Sequence, residues 1–265
     1  MQFSELLGQV ETLGEGVVAL TVPDDWKQGR AVFGGLQTVL TLLAMRTLVP
    51  TVPVRTLQTT FIAPPSSSRV YARARILRQG KSATHVEARL LDGDDEQADT
   101  LAVVMGVFGS ARASVVSLVP VMPPVPASDP FHFRYRPGAS PTFTQHFSAS
   151  WLRGGLPFKG GNDTQAVLAL GMPGETASTE AHVIALADYI PPVALSFMKT
   201  PAPGSSMTWM LEFLTDQMSG LPLEGWRVDA EMSAAGDGYT SQSLVLWGPQ
   251  GQPVVLGRQN MVIFG

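Results

Sequence analysis

Cysteine is absent from the 265 residues, which excludes disulfides, thiolate metal sites and a cysteine nucleophile. Histidine is scarce: His85, His132, His146 and His182 are scattered without metal-ligand spacing. Charged residues make up only 15%, and a net charge of -4 provides no electrostatic attraction for nucleic acid or an anionic membrane. No apolar run is long enough to span a bilayer. The opening stretch MQFSELLGQVETLGEGVV lacks the basic start and continuous apolar run of a signal peptide. The expectation is a soluble cytoplasmic protein. Familiar catalytic loops are missing too. No G-x-S-x-G elbow occurs. Gly80-Lys81-Ser82 lacks the earlier glycine of a phosphate loop, since Arg75 stands there. Gly14-Glu15-Gly16 runs into a β-branched stretch, whereas a dinucleotide fingerprint needs a helix to follow.

What the chain does have is apolar residues, at 45%, with 26 glycines and 21 prolines. That composition suits one large or two ordinary domains, rich in turns and strands. Residues 16–22 read as a first strand. Phe33-Gly34-Gly35 opens a helix in which Leu36, Val39, Leu40, Leu43, Ala44 and Thr47 keep helical spacing, closed by Pro50 and Pro53. Strands are expected over 55–62, 69–77, 83–91 and 98–108, an antiparallel meander. Residues 119–141 are proline-rich and read as a connector, packing through Phe131, Phe133 and Tyr135. The pattern then returns, with strands over 143–152 and 165–170, a helix over 178–190, and strands over 206–214, 227–234, 239–247 and 254–264. Matching Phe108-Gly109 to Phe264-Gly265 sets Met105 opposite Met261 and Val103 opposite Gln259, and matches Gly80-Lys81-Ser82 to Gly238-Tyr239-Thr240. This repetition indicates an internal duplication.

The second helix, from STEAHVIALADYIPP, is apolar on nearly every side. Ser178 or Thr179 can cap it, Glu180 suits its first turn, and Pro191 and Pro192 end it. His182 is expected to be a partly exposed helix residue. Ala181, Ile184 and Ala185 form a stripe whose next position is Asp188. A carboxylate there needs partners or a task; alternatively it reaches solvent at the helix end or caps a neighbour. Gln259 shares a strand face with Val255, Gly257, Met261 and Ile263, so it wants a buried partner, either a functional group or nearby backbone.

A helix entered through Gly-Gly and wrapped by a curved antiparallel sheet, given twice, resembles the α+β double hotdog fold, two tandem sheets each around a central helix. Phe33-Gly34-Gly35, Leu57 to Phe61, Pro64 and Leu77 to Ser82 resemble the start of the acyl-CoA thioesterase II (TesB-like) family. Ala185 to Asp188, the strand from Ser206 to Phe213 and Gln259 on the last strand resemble its C-terminal repeat. The resemblance implies repeats over 1–118 and 142–265 with a connector over 119–141. It also implies hydrolysis of an acyl-CoA to acid and CoA, no metal or redox cofactor, and a homodimer or larger homo-oligomer. In that family an Asp, a Thr or Ser, and a Gln hold the attacking water, which here points to Asp188, Ser206 or Thr208, and Gln259 as catalytic candidates. Counting back from Phe213 favours Ser206, while Thr208 stands where the family has the Asp of an Asp-His pair that this chain lacks. Asp188 would act as base, with Gln259 and the hydroxyl orienting water. Phe33, Gly34 and Gly35 are the substrate-binding candidates, through backbone N–H groups at a helix start; close packing or a plain turn also accounts for the glycines. A non-catalytic acyl-CoA or acyl-chain binding protein is the alternative. The Asp/Asn-Pro-His signature of hotdog hydratases is absent.

Overall fold

The computed structural model describes residues 1–126 and 129–264. The chain divides into unit 1, Met1–Leu118 with Pro137–Phe143, and unit 2, Val119–Arg136 with Thr144–Gly265. The proline-rich stretch is thus shared out between the two. Among the described residues no helix is long and apolar enough to cross a membrane.

Unit 1 begins with a short helix α1 (Phe3–Leu7) and strands β1 (Glu11–Gly14) and β2 (Val17–Thr21). A two-residue hairpin, β3 (Lys27–Gln28) and β4 (Ala31–Val32), leads into helix α2 (Gly34–Leu48). Strands β5 (Val54–Phe61), β6 (Arg69–Gln79), β7 (Thr84–Leu91) and β8 (Thr100–Phe108) follow. The main sheet is antiparallel in the order β1-β2-β6-β7-β8-β5. Helix α2 lies against β2, β6, β7 and β8. It is buried on more than one stripe: Gln37, Thr38, Thr41, Leu42 and Met45 join Leu36, Val39, Leu40 and Ala44 out of solvent. Its buried polar groups are satisfied internally, as such groups must be. Gln37 Nε2 donates to Val32 O at 2.8 Å, and the hydroxyls of Thr38 and Thr59 meet at 3.1 Å. The helix closes at Leu48 because Arg46 Nη1 donates to the carbonyls of Val49 and Val52, holding the chain where Pro50 stops further winding.

Unit 2 contains β9 (Phe131–His132), β10 (Ser148–Arg153), β11 (Gln165–Gly171), helix α3 (Glu180–Ala187), β12 (Gly204–Phe213), β13 (Trp226–Gly236), β14 (Tyr239–Trp247) and β15 (Pro253–Ile263). Its sheet is antiparallel in the order β12-β15-β14-β13-β11-β10-β9. Strand β9 comes from the stretch read as a connector; Phe131 and Phe133 both pack on Trp151, with centroids 6.4 and 6.1 Å away. The strand expected from residue 143 begins only at Ser148. Thr142–His146 form a 3-10 turn instead, because Phe143 stacks on Phe33 at 4.1 Å and Thr142 Oγ1 donates to Asp24 O and Lys27 O.

Helix α3 is shorter than its sequence pattern. Thr179 is the N-cap, and the last helical residue is Ala187, not Ile190. Ser178 does not cap it: its hydroxyl donates to Met218 O and accepts from Leu221 N–H, pinning the chain before β13. At the other end Tyr189 N–H turns back to Leu186 O, a 3-10 closure that ends the helix before the prolines. Pro192 then opens a 3-10 turn over Val193–Ser196.

The duplication runs in a different register from the one the sequence suggests. Thr84 pairs with Phe108, and Val86 with Gly106. Thr240 pairs with Met261, and Gln242 with Gln259. The counterpart of Gln259 is therefore Gly106. Val103 pairs with the exposed Arg89 and lies on the opposite face. Gly265, half of the Phe-Gly match, lies outside the described residues. A Cβ at Gly106 would sit 2.6 Å from Met45 Sδ, so a methionine from α2 fills the space that a polar side chain occupies in unit 2.

Candidate active site

Three of the four catalytic candidates meet in unit 2. Gln259 Nε2 donates to Ser206 Oγ at 2.7 Å and to Asp188 Oδ1 at 3.3 Å. Gln259 is 5% exposed, on the inner face of β15 with Val255, Gly257 and Met261. Asp188 is half-buried and follows the last residue of α3, its N–H bonded to Ile184 O at 3.2 Å, so the stripe of Ala181, Ile184 and Ala185 continues onto it. The helix dipole disfavours a carboxylate at that end by about 0.3–1 kcal/mol. A donor such as Gln259 Nε2 offsets this.

A β-bulge decides which hydroxyl joins them. Gln259 pairs with Trp209 and Met261 pairs with Ser206, the register slipping between Ser206 and Thr208. In a regular strand Ser206 and Thr208 would share one face and Trp209 the other. The extra residue, Met207, re-aims the strand so that Ser206 turns inward with Trp209. Thr208 pairs with Asn260 and is exposed, so it does not join the cluster.

The substrate-binding candidates lie in unit 1. Phe33 is fully buried, with its ring stacked on Phe143 and 6.4 Å from Trp26. That ring is a core group, so any part Phe33 takes in binding falls to its backbone at the start of α2. Its backbone starts α2: Phe33 N–H donates to Trp26 O, and its carbonyl accepts from Gln37 N–H. Gly34 is half-buried and Gly35 buried, at the first turn of α2.

His182 is 2% exposed, not a surface helix residue. Thr179 N–H donates to its Nδ1 at 3.2 Å, which leaves the proton on Nε2 to face Glu175 Oε2, also at 3.2 Å. Burial pushes the imidazole pKa down, against an opposing pull from Glu175. The ring takes the capping-box place that a Glu or Gln usually holds.

Sequence reasoning missed Gln242. It is fully buried on the inner face of β14, directly across from Gln259. The signal was available: Thr240, Gln242, Leu244 and Leu246 alternate on one face, and a glutamine among them has the same need for a partner as Gln259. A separate groove of about 750 Å³ on the outer face of this sheet, lined by Val121, Pro124, Met210, Arg227 and Arg258, contains none of the three clustered residues.

Residues 22–109 match the family described as the acyl-CoA thioesterase N-terminal domain, and residues 117–263 match the acyl-CoA thioesterase C-terminal domain. No curated protein matches. Among solved structures, the chain is similar to a conserved hot dog fold protein of unknown function from Alicyclobacillus acidocaldarius, with TM-score 0.83, 20% identity, and 97% and 96% of the two chains covered. It is also similar to the tesB protein of Mycobacterium avium subs paratuberculosis, with TM-score 0.77, 13% identity and 100% of both chains covered. A third is acyl-CoA thioesterase II TesB2 from Mycobacterium marinum, with TM-score 0.73, 14% identity, and 98% and 96% covered. At these identities the structures show the hot dog fold. The two domain matches show the family: this chain belongs to the acyl-CoA thioesterase family, carrying its N-terminal and C-terminal domains in sequence order.

Proposed function

We propose that the protein hydrolyses an acyl-CoA to the free acid and CoA by direct attack of water. The observation that carries this reading is the Gln259 side chain, which bridges Ser206 and Asp188 on a buried sheet face. In its ionised form Asp188 accepts a proton from water as the water oxygen bonds to the thioester carbonyl carbon. The tetrahedral adduct collapses, the carbon–sulfur bond breaks, and the thiolate takes the proton back from Asp188. Gln259 and Ser206 hold the water and carboxylate in register, which removes part of the entropic barrier. No side chain need become acylated, in keeping with a chain that has neither cysteine nor a serine elbow. Gly34 and Gly35 are the candidates for backbone contact with substrate in unit 1, and a homodimer or larger assembly is part of the proposal.

The test is thiol release from short, long, branched and aromatic acyl-CoAs. Asp188→Asn is expected to lower kcat by about 10²- to 10⁴-fold, the usual span for a general base, while the protein stays folded. An Asp188→Asn protein as active as the parent would remove the base. Saturable acyl-CoA binding without turnover by the parent would make this a binding protein on the same fold.

A further inference from the structure

Trp209 on β12, Gln259 on β15 and Gln242 on β14 are direct cross-strand partners on three adjacent strands. They are 1%, 5% and 0% exposed. Side chains so placed have Cβ atoms about 4.5–5.5 Å apart. Gln242 Oε1 accepts a hydrogen bond from Val193 N–H at 2.9 Å. A backbone N–H can only donate, so this bond sets the amide: oxygen toward Val193, NH2 away from it. That Nε2 is buried with no hydrogen-bond partner among the described residues. Gln259 presents the complementary case. Its Nε2 serves Asp188 and Ser206, so its Oε1 is the end left to accept. Flipping that amide would bring oxygen against the Asp188 carboxylate.

We propose that Gln242 is a positioning residue, whose Nε2 donates to Gln259 Oε1 and thereby fixes which end of Gln259 faces Asp188. A one-way series of donors results. It starts at Val193 N–H in the turn after α3, passes through both amides and ends on Asp188 and Ser206. The residues already face each other across the ladder, and a change in side-chain torsion closes the link. The series joins the turn after α3 back to the carboxylate at that helix's end. The orientation rests on the geometry alone; its catalytic consequence rests on the hydrolase reading. Trp209 Nε1, also buried without a partner among the described residues, is the competing donor.

The test follows the side-chain amide of Gln259 in the ¹⁵N-labelled full chain, assigned by its loss in Gln259→Ala. In the parent this signal should titrate with Asp188, because its Nε2 donates to that carboxylate. In Gln242→Leu, and in Gln242→Glu, which keeps an acceptor for Val193 but cannot donate when ionised, the titration should weaken. If acyl-CoA is turned over, both variants should lower kcat by about 2- to 13-fold, the scale of one lost hydrogen bond between neutral groups, with KM unchanged. An unchanged Gln259 titration in both variants would overturn the proposal, as would effects that appear only in Trp209→Phe. The coupling present in a protein that hydrolyses nothing would support the amide series and count against the hydrolase reading, so the two fail separately.

Discussion

The bulge at Met207 makes a prediction that the strand pattern alone could not. Ser206→Ala removes the 2.7 Å bond from Gln259 Nε2 and leaves that amide with only the longer 3.3 Å contact to Asp188. A bond between neutral groups is worth about 0.5–1.5 kcal/mol. At about 1.4 kcal/mol per tenfold, this corresponds to a loss of roughly 2- to 13-fold in kcat. Thr208→Val keeps the β-branched shape on an exposed outer face and removes only a hydroxyl, so kcat should stay within about twofold, the level of an ordinary surface substitution. The assay is continuous thiol release from acyl-CoA with a thiol-reactive dye, to which this protein contributes no background because it has no cysteine. Melting temperatures measured alongside separate a site effect from a folding effect. If Thr208→Val is the more damaging substitution, or if the two losses are equal, then Ser206 is not the hydroxyl that Gln259 holds and the bulge has no part in the chemistry.

Two further perturbations test the frame around the site. Burial depresses the His182 pKa below its ordinary 6.5, so the folded chain binds fewer protons there than the unfolded chain. This contribution to stability is complete above pH 6.5 and falls as pH drops below it, by at most about 1.4 kcal/mol per pH unit. Chemical unfolding between pH 4 and 8 should show this acid slope, and His182→Gln should flatten it; an unaltered slope would assign the acid loss to other groups. Gly106→Ala would set a Cβ 2.6 Å from Met45 Sδ and 3.1 Å from the Phe108 ring. It should destabilise the protein by about 1–3 kcal/mol, as overpacking does. Met45→Leu in the same chain should recover part of that in denaturant titrations, and additive effects would mean the two residues do not press on each other.

Much of this protein was legible in the residue order. The two helices, the antiparallel strands and their repetition follow from period-two and helical spacing, cut by glycine and proline, which are local properties of a chain. Asp188 and Gln259 stood out for a local reason too: each is polar on an otherwise apolar stripe, and burial forces such a group to find a partner. Tertiary structure decided the rest. Ser206 and Thr208 are equivalent under strict alternation, and only the slip in pairing against β15 turns one of them inward. A slip of that kind is a property of two strands together, so neither strand's pattern contains it. The same holds for the repeat: similar strand endings suggested Val103 as the counterpart of Gln259, but the β7 and β14 ladders give Gly106, on the other face. His182 was read by its place at a helix start, whereas in the structure it is buried and meets Glu175, which reaches it from the loop before α3. Gln242 was legible as a polar residue on an apolar face, but the direction of its amide is set by Val193, a residue 49 positions away. Periodicity assigns a side chain to a face; the pairing of strands and the approach of distant backbone determine what it meets there.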